Sequence, residues 1–398
     1  MVDFALTDEH RMVRDMVRQF AEKEAAPRIK ELDQKGEWDV GLIKKMGELG
    51  ILGLVFPEKY GGGGLDYISL AIACEELERV DTSLRVVMSV HVGLCGLGIL
   101  QWGTEVQKQK YITALASGQK IGGFGLTEPN AGTDVAALEA TAERRPDGYI
   151  LNGEKMWISL ADVADVLLFF ARTDPAAGHK GISAFIVERD MPGFSSRPIH
   201  GKMGIRAGNT GSFACQDVFV PKENLLGQEG EGFKVAMSCL DNGRYTVAAG
   251  ATGLIAACIE ESCKYAKERH TFGVPLAKHQ LVQRMISHMV RDYEAARLLT
   301  WRAGWMKNQG MRNTRETALA KWYATCASFD AASDAVQIHG AYGYSDEYPV
   351  ERFLRNSKGA VIYEGTREIL EIMIGEYALG YRQDKPLRCE LPGWPYQE

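Results

Sequence analysis

Val361-Ile362-Tyr363-Glu364-Gly365-Thr366-Arg367-Glu368 places one carboxylate between three bulky residues and a glycine, with a helix start behind it. Partial burial beside Val361, Ile362 and Tyr363 would raise the pKa of Glu364 and make it a usable base near neutral pH. Gly365 lets another molecule approach the backbone, and Thr366 can cap a helix over 367–374. Spacing alone equally fits a turn with a surface Glu ahead of a capped helix. The rest of the chain decides between the two.

Upstream of this stretch the chain reads as helical, then β, then helical. Thr7 with Asp8 and Glu9 starts a first helix by cap and dipole, and Met12, Val13, Met16, Val17 and Phe20 share its face. Pro27 marks its expected end. From Gly122 the texture changes to short β-branched or aromatic runs, Tyr149-Ile150-Leu151, 166–171, 182–187 and 213–220, which predict antiparallel strands. The segments 174–181 and 190–193 read as hairpin loops. After Gly232 helical spacing returns, with Ile255, Ile259, Cys263 and Ala266 on one face. The expected class is α+β, mostly α: a helical unit over 1–121, a β unit over 122–232 and a helical unit over 233–398. The tail from Pro386 is expected to be irregular.

The 398 residues are 45% hydrophobic and 25% charged, enough to bury a sizeable core. A formal charge of -6 leaves no basic footprint for nucleic acid. The eight cysteines form no Cys-x-x-Cys pair, and His339 has no partner at helical spacing, so no metal site is expected. Met1–Thr7 lacks the basic-then-apolar pattern of a signal peptide, and no uninterrupted apolar run of spanning length is expected. A cytoplasmic location follows, or the mitochondrial matrix if a transit peptide has been removed. Gly61-Gly62-Gly63-Gly64 lacks the Lys-Ser or Lys-Thr of a phosphate loop and reads as a turn.

Five segments besides the opening one occur in order: 125–134, 156–159, 241–244, 269–273 and 337–344. Together they resemble the acyl-CoA dehydrogenases over nearly the whole chain. The resemblance implies that Glu364 is the catalytic base and that the cofactor is FAD, which no Gly-x-Gly-x-x-Gly pattern would have revealed. It implies flavin contacts from Leu126, Thr127, Gly132 and Thr133, whose backbone amides and hydroxyls suit a pyrimidine edge and a pyrophosphate. Trp157, Ile158 and Ser159 match a second contact, although Trp157 by itself reads as a core or strand aromatic. Arg269, Phe272 and Gln280 match a segment that reaches a neighbouring subunit's FAD. Gln337, Ile338, Gly340 and Ala341 match the adenosine-pyrophosphate loop, and Thr366 and Glu368 match further flavin contacts. Asp241, Arg244 and Thr133 match contacts to the CoA arm. Gly365 and the Glu364 amide lie beside the substrate, the amide sharing the thioester oxygen with the flavin ribityl hydroxyl. A homotetramer that passes electrons to electron-transfer flavoprotein is implied.

Glu78-Arg79-Val80-Asp81-Thr82-Ser83-Leu84-Arg85 bears on the substrate. Arg85 opens an apolar run, and a buried guanidinium needs a partner. Glu78, two turns earlier on a continuous helix, is one candidate. A substrate carboxylate is the other, because the motif resembles the glutaryl-CoA and benzylsuccinyl-CoA dehydrogenase branch. Ser89 would line the same pocket. The resemblance implies dehydrogenation of a dicarboxylic mono-CoA thioester, with an ordinary short- or branched-chain acyl-CoA as the alternative. A non-catalytic flavin- or acyl-CoA-binding scaffold would need Glu364 lost. Val86 matches the non-decarboxylating enzymes and Tyr363 the decarboxylating ones, which leaves release of CO2 open.

Overall fold

Thr7 begins the first helix, Asp8–Phe20, through a reciprocal cap with His10. The chain does not leave the helix at Pro27. A π-helical turn, Ala21–Ala25, leads into Ala26–Lys35, and Pro27 falls in the first turn of that helix, where its missing N–H costs nothing. The structure is a computed structural model and describes residues 5–396.

Two further helices, Tyr67–Val80 and Thr82–Val87, are separated by one extended residue, Asp81, whose side chain caps the second by accepting from Ser83 N. The segment Thr82–Trp102, interrupted by Arg85, Ser89, His91 and Gln101, is long and apolar enough to cross a membrane by length and composition, with a mean hydropathy of 1.7. All of it is buried, which makes it a central core helix.

The middle unit is a sheet of β1 (Gly122–Gly125), β2 (Thr141–Arg145), β3 (Gly148–Ser159), β4 (Val166–Arg172), β5 (Ile182–Glu188), β6 (Phe194–Pro198), β7 (Thr210–Pro221) and β8 (Leu225–Leu226). Their spatial order is β6-β7-β3-β2-β4-β5-β8, with β1 beside β4. The ladders are antiparallel except that β1, and one residue pair of β2, run parallel to β4. The loop after Asp174 joins the paired strands β4 and β5. The 190–193 loop is not a hairpin, because β6 pairs with β7 and not with β5.

Five helices complete the chain: Gly232–Glu268, Gln280–Asn308, Thr314–His339, Val350–Ala360 and Arg367–Leu379. The tail is irregular but docked. Trp394 bonds Asn308 O and Gly64 O at 2.8 Å each, and Tyr67 donates to Pro392 O at 2.9 Å.

One buried ion pair ties the 126–133 loop to the sheet. Lys155, with no exposure, donates to Glu128 at 2.7 Å, Phe170 O at 2.6 Å and Leu126 O at 3.3 Å. Glu128 also accepts from the amides of Glu139 and Ala140. Burial lowers the Lys155 amine to about 8, opposed by Glu128. Lys155→Met strands that carboxylate, and denaturant unfolding is expected to show a loss of about 3–5 kcal/mol. A loss under about 1 kcal/mol would contradict the latch.

Candidate active site

The turn that carries Glu364 hangs between two helices. Ile362 N and Tyr363 N close it onto Gly359 O at 2.9 and 3.1 Å, and Thr366 caps Arg367–Leu379 by accepting from Ile369 N. That helix runs five residues beyond its expected end at Ile374. Glu364 has φ +56° and Gly365 φ +101°. A left-handed glutamate costs on the order of 1–3 kcal/mol and persists only where its surroundings over-determine it.

Those surroundings are cationic. Lys321 Nζ donates to Tyr363 O and to Gly365 O, both at 2.6 Å, and Arg244 Nε reaches Glu364 O at 3.3 Å. The Glu364 amide donates to nothing among the described residues. Part of Glu364 reaches solvent, but its Oε2 is buried without a hydrogen-bond partner. Burial raises its pKa, while Arg85, Lys321 and Arg244 oppose the rise. Glu364 is therefore not a plain surface residue, because one of its carboxylate oxygens is buried and accepts no hydrogen bond among the described residues.

Arg85 is fully buried and held by three side chains. Its Nε donates to Glu78 at 2.5 Å, one terminal nitrogen to Ser89 Oγ at 2.9 Å and the other to the Tyr363 hydroxyl at 2.5 Å. The Glu78 pairing forms although Asp81 breaks the helix between them. A guanidinium has five N–H donors, so two remain. Ser89 continues the network to Thr246 at 2.8 Å.

Two glycines of Gly232–Glu268, seven apart and so on one face, make room for both carboxylates. A Cβ on Gly243 would stand 1.9 Å from Glu364 Oε2, and one on Gly250 would stand 2.0 Å from Glu78 Oε2. Sequence reasoning missed Gly243, Gly250 and Lys321. Asp241, matched to the CoA arm, pairs with Arg244 at 3.1 Å and accepts from Thr314 at 2.6 Å. It lines a cavity of about 40 Å³ with Asn242, Lys307, Arg312 and Glu390.

The residues matched to flavin contacts fall into two groups. In the first, Met156 N donates to Thr127 O at 2.9 Å, joining Leu126–Thr133 to Trp157–Ser159. The β3–β7 register slips between Lys155 and Ile158, and in that bulge Trp157 has φ +62° and is 58% exposed. It lies in strand β3 as a strand aromatic would, but it is not in the core, since the bulge turns its indole outward. Ile158 is buried, Ser159 half-buried, and Gly132 and Thr133 exposed. In the second group, Arg269 packs 5.9 Å from the Tyr342 ring, and Phe272 is 97% exposed at φ +52°. Gln280 opens its helix, Gln337 and Ile338 close theirs, and Gly340 with Ala341 follows. No hydrogen bond joins the groups among the described residues. The Thr366 hydroxyl serves its cap, and Glu368 pairs with Arg367 at 3.0 Å. His339 stacks on Tyr265 at 4.3 Å.

Family models described as the N-terminal, middle and C-terminal domains of acyl-CoA dehydrogenase match residues 7–119, 123–218 and 230–379. The chain belongs to the acyl-CoA dehydrogenase family. It is 44% identical over 373 residues to the short-chain specific acyl-CoA dehydrogenase of Clostridium acetobutylicum, covering 94% of this chain and 98% of that one. It is 41% identical over 387 residues to the glutaryl-CoA dehydrogenase of Desulfococcus multivorans, covering 96% and 99%. A chain solved in work on the electron transferring flavoprotein of Acidaminococcus fermentans superposes with TM-score 0.94 at 46% identity, covering 95% and 100%. A glutaryl-CoA dehydrogenase of Mycobacterium smegmatis in complex with FADH2 superposes with TM-score 0.90 at 31% identity, covering 96% and 97%. This acyl-CoA dehydrogenase therefore uses FAD. The residues present fit that group: an outward, strained Trp157 stands beside a loop whose Gly132 and Thr133 are exposed.

Proposed function

We propose that the chain dehydrogenates a dicarboxylic mono-CoA thioester, glutaryl-CoA or a 2-substituted succinyl-CoA such as benzylsuccinyl-CoA, with Glu364 as the base. The observation that carries this is the buried, unpartnered Oε2 of Glu364 in a strained turn. Glu364 takes the proton alpha to the thioester carbonyl. Its own amide, which has no partner, donates to the carbonyl oxygen as negative charge develops there. FAD, when bound, supplies the acceptor for the beta hydride. Trp157 and the 126–133 loop pack against the flavin, and Asp241 and Arg244 order the path of the CoA arm.

Arg85 selects the substrate in this reading. Its two remaining N–H groups face a distal carboxylate, while Glu78, Ser89 and Tyr363 fix the plane of the fork. The ordinary short-chain acyl-CoA stays a second reading on one observation: Glu78 already neutralises Arg85, both side chains being 1% exposed. Overall likeness does not choose between them, since a short-chain relative is 44% and a glutaryl-CoA relative 41% identical.

A homotetramer supports the cofactor in this proposal. Arg269, Phe272, Gln280 and the 337–341 loop would reach the FAD of a neighbouring subunit, which accounts for a phenylalanine held 97% exposed. Electron-transfer flavoprotein is the proposed acceptor, in a cytoplasmic or matrix compartment. The likeness to the Acidaminococcus chain supports that partner.

Glu364→Gln is expected to keep FAD and acyl-CoA binding and to lose about 10²–10⁴-fold or more in the rate of anaerobic flavin reduction. Reduction within tenfold of wild type removes Glu364 from the chemistry. Arg85→Lys keeps a cation beside Glu78 but loses the fork. Because a charged hydrogen bond contributes about 1.5–3 kcal/mol, kcat/KM on glutaryl-CoA should fall about 10–100-fold. Activity on butyryl-CoA should stay within about threefold. Equal losses on both substrates favour the short-chain reading.

A further inference from the structure

The side chain of Lys321, two turns into Thr314–His339, has no exposure and pairs with no carboxylate within salt-bridge distance among the described residues. Its Nζ instead lies 2.6 Å from each of the two carbonyls that flank Glu364. Arg244 takes the carbonyl between them. Three successive carbonyls of a left-handed turn are thus drawn inward by two cations. The Glu364 amide itself donates to nothing among the described residues.

We propose that Lys321 is a positioning residue for proton transfer: it fixes the turn on which the base is mounted and places a titratable positive charge behind it. This rests on the reading of Glu364 as the base. The charged and titratable groups around Glu364 come from every neighbouring element. Cys74, Glu78 and Arg85 come from the N-terminal helices, and Asp241 and Arg244 from Gly232–Glu268. Lys321 and Cys326 come from Thr314–His339, and Tyr363 from the turn itself. Of the cations, the buried Arg85 guanidinium stays charged, burial being outweighed by Glu78. Burial lowers the Lys321 amine to about 7, opposed by Glu364.

The charge is therefore present on the acid side of neutrality and fades above it. A neutral amine still has two N–H groups, one for each carbonyl. The turn keeps its shape while its charge changes. The sign follows. The charge holds the Glu364 pKa down, so the carboxylate stays ionised to lower pH. Removing the charge moves the acidic limb of the pH–rate profile upward.

The test is the pH dependence of anaerobic flavin reduction by butyryl-CoA in the holoenzyme, for wild type, Lys321→Gln and Lys321→Arg, with thermal melts. Lys321→Gln is expected to move the acidic limb up by about one unit or more and to slow reduction at least about tenfold at pH 6. Lys321→Arg, which keeps a charge, should restore the wild-type limb. A wild-type limb in Lys321→Gln overturns the proposal, as does a pH-independent loss that tracks a lowered Tm. Should Lys321→Gln not fold, the arginine variant still decides, because an upward shift of its limb overturns the proposal. Glu364→Gln run in parallel separates the two claims. An inactive Glu364→Gln beside an unshifted Lys321→Gln refutes the lysine alone, while an active Glu364→Gln refutes the base.

Discussion

Two carboxylates and three cations share one largely buried cluster, and the architecture of this enzyme is arranged around keeping them apart and in place. Glu78 is paired, Glu364 is not, and Arg85, Lys321 and Arg244 stand around them. Buried charge is costly unless neutralised, so such a cluster forms only when separate elements supply it at fixed separations. Here the elements are the helices Tyr67–Val80 and Thr82–Val87, the long helix Gly232–Glu268, the helix Thr314–His339 and the turn after Val350–Ala360. Gly243 and Gly250 are the clearest sign of this constraint. At each, a carboxylate oxygen stands too close for a Cβ to fit, at 1.9 Å for Gly243 and 2.0 Å for Gly250.

The imbalance inside the cluster is what gives chemistry. Glu78 is saturated by Arg85 and Thr82, at 2.5 and 2.9 Å, and acts as structure. Glu364 has cations within electrostatic reach but no donor on Oε2, so burial outweighs them and its pKa rises. Tyr363 connects the two halves. Its hydroxyl accepts from Arg85 and its carbonyl from Lys321, so the residue before Glu364 joins the Arg85 network to the Lys321 side of the turn.

Much of this was legible in the sequence where the signal is local. The Thr7 cap, the helical–β–helical order and the Thr366 cap each depend on residues within a turn of one another, and each is present. Glu364 stood out through its bulky neighbours and Gly365, but that local spacing fitted a surface turn as well, and the ordered motifs elsewhere in the chain singled it out. Pro27 misled because a proline in the first turn of a helix and one just past its end look alike in sequence. Trp157 misled because a bulge that reverses the facing of one residue leaves no mark on hydrophobic alternation. Lys321 was invisible because the two carbonyls it holds, those of Tyr363 and Gly365, lie more than forty positions further along the chain. Nothing in Ala320-Lys321-Trp322 distinguishes it from a solvated helix lysine. The glycines were missed for the same reason: the oxygen that excludes a Cβ belongs to a distant segment.

The central claim is that this cluster both removes a proton and reads a distal carboxylate. Anaerobic bleaching of the wild-type flavin, followed in rapid mixing with glutaryl-CoA, benzylsuccinyl-CoA and butyryl-CoA, tests it most directly. Two charged hydrogen bonds from the remaining Arg85 donors should give at least one of the two dicarboxylic thioesters an advantage of about tenfold or more in the second-order rate of bleaching. Faster bleaching by butyryl-CoA than by either dicarboxylic thioester would contradict the account, and would leave Arg85 as the structural partner of Glu78.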